Sequence, residues 1–298
     1  MKLKDIGERK LTYGITSELS IPFDDCAYLE RDGYYEVMTT DMVNSRTHFP
    51  ENTPFHHMGW YAMAVNISDL AAKGAEPLAY LVAMGLPRDM EEEGYNEITR
   101  GMQECVKKYG GKIVGGDTKE GDGIIIAVAA IGKVKREEFM PRLGMKEGDA
   151  VYVTGELGRG GVALRESNID DLLLIEPRMR EGRILASSRK VNACMDLSDG
   201  LASSLHQMMR INNLGFRIYG DAIPVCEKAK KYDDAMNLAL YHGGDYELLF
   251  TMPEEYENEI KERINIIRIG EVVEERKVVL VVNGEEKEMR NEGYEHFR

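Results

Sequence analysis

The stretch "DLSDGL", residues 196–201, sets Asp196 and Asp199 three positions apart with Ser198 between them and Gly200 after them. Similar clusters recur: Asp24 and Asp25 in "PFDDCAYL", Asp41 in "TTDM", Asp69 in "NISDLA" and Asp117 in "GGDTKE". Apart from Asp196, each Asp sits next to Gly, Ser, Thr or another Asp, and most are expected at strand-to-helix transitions. Taken singly, each reads equally well as a helix cap, a first-turn residue or a turn residue. Taken together, they raise an electrostatic question. Two unit charges ~4 Å apart repel by about 4 kcal/mol at an effective dielectric of 20, so carboxylates that converge require cations. Carboxylate and hydroxyl oxygens, with no His/Cys set at ligand spacing, suit a hard ion that keeps several waters. That favours Mg²⁺ over Zn²⁺.

Glycines supply a second chemical cue. "VGGDT" closes an expected strand with two residues whose backbone N–H groups can approach a phosphate, and "GELGRGGVAL" places Gly155, Gly158, Gly160 and Gly161 between a strand and a helix. Neither is a Walker loop, since GK[ST] is missing, and the GxGxxG dinucleotide fingerprint is missing too.

The elements that would carry these residues alternate. "YYEVMTTD" is rich in strand formers, and "FHHMGWYAMAVNISDLAAKGA" keeps apolar residues at helical spacing until Gly74. Strand "PLAYLVAMGLP", a helix over "EEEGYNEITRGMQECVKKYG", and strands "KIVGG" and "GIIIAVAAIGKV" follow. The polar connector "KREEFMPRLGMKEGD" puts a domain boundary near 140, giving an N-terminal domain 1–140 and a C-terminal domain 141–298. The second half predicts strand "AVYVTG", helices near 160–167, 178–190, 199–213 and 226–240, and strands in "YELLFTM", "IIRIGEVV" and "KVVLVVNG". The fold class is mixed α/β (α+β), with strand polarity left open by the element order.

Composition bounds the function. A chain of 298 residues, 43% hydrophobic, can bury two cores. A formal charge of −14 argues against a nucleic-acid surface, which needs Lys and Arg to neutralise phosphates. The longest apolar run, Ile124 to Ile131, is too short to span a bilayer, and "MKLKDIGERK" lacks a signal peptide's apolar core, so a cytoplasmic protein is expected. The four scattered cysteines read as reduced thiols.

In order along the chain, "DDCAYL", "TTDM", "GWYAMAVNISDLAAKGAEP", "VGGDT", "VTGELG", "DLSDGLASSL" and "GGDYELLFT" resemble the motifs of the thiamine-monophosphate kinases. That family belongs to the superfamily of aminoimidazole ribonucleotide synthetase and selenophosphate synthetase. The resemblance implies ATP-dependent phosphorylation of thiamine monophosphate, with ATP as co-substrate, several Mg²⁺ ions and a homodimer formed through strands of the N-terminal domain. It implies that Asp25, Thr39, Thr40, Asp41, Asp69, Asp117, Asp196 and Asp199 bind Mg²⁺. Gly116, Asp117, Arg142 and Ser198 would contact ATP, and His48 and Tyr294 would line the thiamine site. No general base is expected, because a phosphate monoester is already an anionic nucleophile.

The chain departs from the family pattern in two places. "HGGDYEL" puts Gly244 where relatives carry a Glu, so the thiazolium's partner is Asp245 or aromatic stacking on Tyr294. Phe23 replaces the glycine usual before the Asp pair. Two competing readings are another ATP-dependent member of the superfamily, such as an amidine-forming ribonucleotide synthetase, and a noncatalytic nucleotide-binding dimer. The "DLSDGL" and "DYELLF" pairing favours the kinase over the first, and the retained acidic set argues against the second.

Overall fold

The computed structural model describes residues 2–297. In chain order its elements are α1 (Glu8–Glu18), β1 (Ala27–Glu30), β2 (Tyr34–Asn44), α2 (Phe55–Ala72), β3 (Glu76–Leu86), α3 (Glu92–Tyr109), β4 (Ile113–Glu120), β5 (Ile125–Lys135), β6 (Ala150–Val153), α4 (Arg159–Glu166) and α5 (Ile169–Leu173). They continue with α6 (Met179–Ser188), β7 (Ala193–Asp196), α7 (Leu201–Asn212), β8 (Gly215–Tyr219), α8 (Ala235–Tyr241), β9 (Leu248–Met252), α9 (Glu257–Lys261), β10 (Ile267–Val273), β11 (Val278–Val282) and β12 (Glu285–Glu288). The mixed α/β class expected from the sequence is what forms. The chain divides into two compact units, one of residues 26–140 with 163–189, the other of residues 2–25, 141–162 and 190–297.

The first unit is built on a five-stranded sheet of order β1-β2-β5-β3-β4, antiparallel except for the β3–β4 pair. Its organiser is α2, which is apolar nearly all round: Met58, Ala62, Met63, Ile67 and Leu70 are all buried. A helix of that kind must be covered on every side. Strands β2, β3 and β5 cover it on one side, and α3, α5 and α6 also pack against it. The α2–α3 crossing is close enough to require glycine on both helices. A Cβ at Gly59 would lie 1.9 Å from the Ile98 carbonyl oxygen, and one at Gly101 would lie 2.0 Å from that of His56. Helix α3 is amphipathic, with Glu92 and Glu93 in its first turn and Lys107 and Lys108 in its last, both placements opposing the helix dipole.

The second unit is a seven-stranded sheet of order β12-β11-β8-β10-β6-β9-β7, antiparallel except for β8–β11. Strands β6 and β9 are buried along their whole length, which explains why they are apolar apart from Thr251. Leu201, Leu205 and Met208 of α7 join Val151, Phe216, Ile218 and Leu249 in one core.

The helix expected over 226–240 is shorter than its composition implies. Only Ala235–Tyr241 is α-helical, and Cys226 to Ala235 advances by successive turns, Ala229 N–H to the Cys226 carbonyl, Tyr232 to Ala229 and Ala235 to Tyr232. The charged "EKAKKYDD" leaves that stretch with few apolar side chains to hold a helix against the core. No helix among the described residues is long and apolar enough to cross a membrane. All four cysteines are buried.

Candidate active site

In the second unit, the loop before β1 carries Asp24 and Asp25, and the middle of the polar connector carries Arg142. Asp24 Oδ2 accepts from the Arg142 backbone N–H at 3.0 Å, and Asp25 Oδ1 accepts from Arg142 Nε at 2.9 Å and also from Nη2. The Phe23 ring lies 5.1 Å under the same guanidinium and 4.4 Å from the Tyr13 ring, so the residue that replaces the usual glycine serves as a platform for Arg142. Asn212 of α7 fixes the backbone here: its Nδ2 donates to the Arg142 carbonyl at 2.9 Å while its Oδ1 accepts from Gly144 N–H at 2.7 Å.

From Arg142 the polar contacts run on into "DLSDGL". Arg142 Nη1 donates to Gln207 Oε1 at 3.2 Å, and Gln207 Nε2 donates to Asp199 Oδ2 at 3.3 Å and to Ser203 Oγ at 3.3 Å. Ser198 Oγ donates to Asp196 Oδ1 at 3.3 Å. Asp196 closes β7 and is 2% exposed; α7 begins only at Leu201, with Gly200 at φ 100° as its cap. Asp199 therefore lies in the turn before the helix, and the glycine's left-handed backbone is what lets "SDG" bend sharply there. Tyr294 N–H donates to the Asp199 carbonyl at 3.0 Å, which brings the expected thiamine-lining residue beside the acidic turn.

The electrostatics follow from that crowding. Burial would weaken the Arg142 guanidinium's hold on its proton, but Asp25 foremost, then Asp24 and Asp196, keep it above its ordinary value. Burial pushes the Asp199 carboxyl up, against the opposing charges of Arg9 and Arg142. The donors gathered here are all oxygens of Asp and Ser, a set that fits a hard divalent cation.

In the first unit, Thr39 Oγ1 donates to Asp69 Oδ2 at 2.5 Å, joining β2 to α2. Three residues before Asp69 on that helix, Asn66 is buried; its Nδ2 donates to the Ala62 carbonyl, and its Oδ1 accepts from the Asp41 backbone N–H at 3.0 Å. Thr39, Asp41 and Asp69 are thus gathered on the helix-facing side of the sheet. Thr40 and Asp117 are not with them. Strand alternation turns the Thr40 side chain to the opposite side, and the register Asp117↔Ala83↔Ala127↔Met42 puts Asp117 there too. Asp117 is exposed within β4 instead of closing a strand, and its carboxyl is held below its ordinary value chiefly by Lys119 Nζ, 3.1 Å away. Gly116 pairs with Val82, and a Cβ at Gly116 would lie 1.8 Å from the Val82 carbonyl oxygen, so the residue is needed for the β3–β4 contact itself. His48 lies beyond β2, where its Nδ1 accepts from Asn44 N–H at 3.3 Å and sits 2.8 Å from Thr47 Oγ1, which assigns the ring proton to Nε2.

Asp245, the expected alternative partner for the thiazolium, faces the glycine loop. It is buried with its two oxygens accepting from Gly158 N–H at 2.8 Å and Gly160 N–H at 3.0 Å. The carboxylate is committed to the glycine loop at the start of α4. Gly244 has φ 94° and donates its N–H to the Ser198 carbonyl at 2.8 Å, so "HGGDY" braces the "DLSDG" turn. Sequence reasoning missed Gln207, Asn66 and Arg9. Asn66 had one signal, a lone amide on a largely apolar helix; Gln207 and Arg9 had none.

Comparison with known proteins places this geometry. Residues 23–134 match the N-terminal domain and residues 146–283 the C-terminal domain of the AIR synthase related proteins. The thiamine-monophosphate kinase of Methanospirillum hungatei is 37% identical over 275 residues, covering 92% of both chains, and that of Pyrococcus horikoshii is 34% identical over 283 residues, covering 92% of this chain and 90% of the other. The solved structure of AaThiL complexed with AMPPCP and TMP superposes with a TM-score of 0.90 at 29% identity, covering 99% of both chains. Matched over nearly its whole length, with its acidic turns held on the elements described above, the chain belongs to the thiamine-monophosphate kinase family of the AIR synthase related proteins.

Proposed function

We propose that the protein transfers the γ-phosphoryl group of ATP to thiamine monophosphate, giving thiamine diphosphate and ADP by direct in-line displacement. One observation carries the reading: Asp24, Asp25, Asp196 and Asp199 all lie in the field of a single buried arginine, Arg142. Even with Arg9 beside Asp199, four carboxylates outnumber two guanidiniums, and the excess negative charge favours the uptake of cations. Asp25, Asp196 and Asp199 of one unit, and Asp41 and Asp69 with Thr39 of the other, are the proposed Mg²⁺ ligands, with Thr40 and Asp117 contributing from the opposite face of the sheet. Bound Mg²⁺ would screen the triphosphate from the anionic acceptor and offset charge as it develops.

The chain's own groups do the rest by positioning. Arg142, held at its backbone and its guanidinium, and Ser198, Gly116 and Asp117 are the proposed ATP contacts. No side chain needs to remove a proton, because the acceptor phosphate is already ionised near neutral pH. Tyr294 offers a ring face to the thiazolium cation, and His48 is the second proposed contact to thiamine. The cation–π reading is favoured by Asp245 being engaged elsewhere.

We further propose a homodimer formed through the sheet of the first unit. The side of that sheet away from α2 exposes the large apolar side chains Met42, Leu81 and Ile125 beside the polar Thr40 and Asp117. Large apolar side chains left to water on one sheet face are characteristic of an association surface.

The reaction is tested by measuring ADP release with ATP, Mg²⁺ and thiamine monophosphate beside an Asp41→Asn variant. Turnover by the parent protein and a loss of at least about a hundredfold in the variant are expected. Turnover only with a phosphorylated ribonucleotide, or none with any acceptor, would end the proposal.

A further inference from the structure

Helix α1 has no buried residue, yet it is tied to the segment 293–296 by reciprocal contacts. Glu8 N–H donates to the His296 carbonyl at 3.4 Å, and His296 N–H donates back to Glu8 Oε2 at 3.1 Å. Arg9 N–H donates to Glu295 Oε1 at 3.2 Å. The Arg9 side chain goes further: Nη2 donates to the Tyr294 carbonyl at 2.6 Å and stands 4.0 Å from Asp199 Oδ2, while Tyr294 N–H bonds the Asp199 carbonyl. One guanidinium thus touches both partners of the Tyr294–Asp199 contact. The fit is tight. A Cβ at Gly293 would lie 2.5 Å from the Asp199 carbonyl oxygen, 2.7 Å from Ser203 Cβ and 3.2 Å from Arg9 Nη2.

We infer that Arg9 is a positioning residue for the acceptor: by bridging the Tyr294 carbonyl and the Asp199 carboxylate it holds the Tyr294 ring in one place beside the acidic turn. The inference rests on the assignment of Tyr294 to the thiamine side of the site. A neutral hydrogen bond alone would hold a surface segment weakly, whereas a bond from a charged donor that is mostly shielded from solvent is roughly twice as strong. A tyrosine phenol is un-ionised near neutral pH, so the ring offers a neutral aromatic face. Neutral aromatic faces are what a cationic heterocycle stacks on.

Two variants and two measurements test this. Arg9→Met keeps an unbranched side chain, though a shorter one, and removes its donors; Arg9→Lys keeps the charge on a single donor nitrogen. The expected result for Arg9→Met is a KM for thiamine monophosphate raised about tenfold with the KM for ATP within about twofold, and partial recovery in Arg9→Lys. Amide hydrogen exchange read at residues 293–296 without any substrate should be faster in Arg9→Met and intermediate in Arg9→Lys. Unchanged exchange at these amides, or an equal rise in both KM values, would overturn the inference. Should the parent protein not phosphorylate thiamine monophosphate, the proposed reaction and the acceptor role of Arg9 fall together, while exchange still decides whether the Arg9 bridge orders the segment.

Discussion

Asp25 accepts two hydrogen bonds from the guanidinium of Arg142, a residue 117 positions further along the chain. Neither partner is meaningful alone, because the carboxylate is shielded from solvent by its side chain's full burial and the arginine is almost as deep. Removing one charge leaves the other buried and uncompensated, which typically costs about 3–5 kcal/mol. Arg142→Met is expected to destabilise by that amount in denaturant unfolding, and the double variant Arg142→Met/Asp25→Asn to recover part of it. A single-variant loss below about 1 kcal/mol would mean the pair is not buried in solution.

Helix propensity and packing make opposite claims about Gly59. Alanine is favoured over glycine in a helix by roughly 1 kcal/mol, yet a Cβ here would overlap the Ile98 carbonyl. Overpacking against backbone costs about 1–3 kcal/mol or more, so Gly59→Ala should lower the melting temperature. Gly14→Ala in α1 is the control: nothing lies within 4 Å of its Cβ position, and that variant should be at least as stable as the parent. Equal effects at the two sites would contradict the close crossing of α2 and α3.

Stability should depend on pH through Asp245. Burial pushes its carboxyl up to about 7 from an ordinary 3.8, against the Gly158 and Gly160 N–H bonds; Glu247 adds to the rise and Arg159 opposes it. A folded-state value above the unfolded one means the folded protein binds the proton more tightly. Its contribution is therefore complete below about pH 4 and is lost as pH rises toward 7. Asp199, whose carboxyl is also raised, acts in the same direction. Asp245→Asn should flatten the fall in melting temperature between pH 5 and pH 8, leaving the smaller Asp199 part. An unflattened fall would show that Asp245 is not the group responsible.

Association through the first unit's sheet should be sensitive to charge at its exposed centre. Leu81→Glu places a carboxylate on a side chain that is 44% exposed in the isolated chain. Light scattering at micromolar concentration should report a dimer for the parent and a monomer for the variant. A parent that is monomeric at that concentration would rule out this surface as the proposed interface.

Much of the architecture was legible in the chain. Apolar periodicity located α2, α3, β3 and β5, because each is long and its pattern repeats several times over. Strands β7 and β1, four residues each, and helix α1, with no buried face, offered no such repetition. Residues 2–25 and 163–189 each belong with the unit their neighbours in sequence do not. Linear composition carries no sign of that exchange, since it is decided by which surfaces the segments cover.

The sequence by itself determined the chemical inventory: an oxygen-rich set of aspartates and hydroxyls, with glycine-rich stretches among them. Only the tertiary structure decided how that inventory is distributed. Strand alternation put Thr39 and Thr40 on opposite faces, burial gave Asp245 to the glycine amides, and Arg142 drew in Asp24, Asp25 and, through Gln207, Asp199. The physical reason is that a side chain's type depends on its own residue alone, whereas its partner and its solvation depend on groups distant in the chain, and those set what an aspartate can bind.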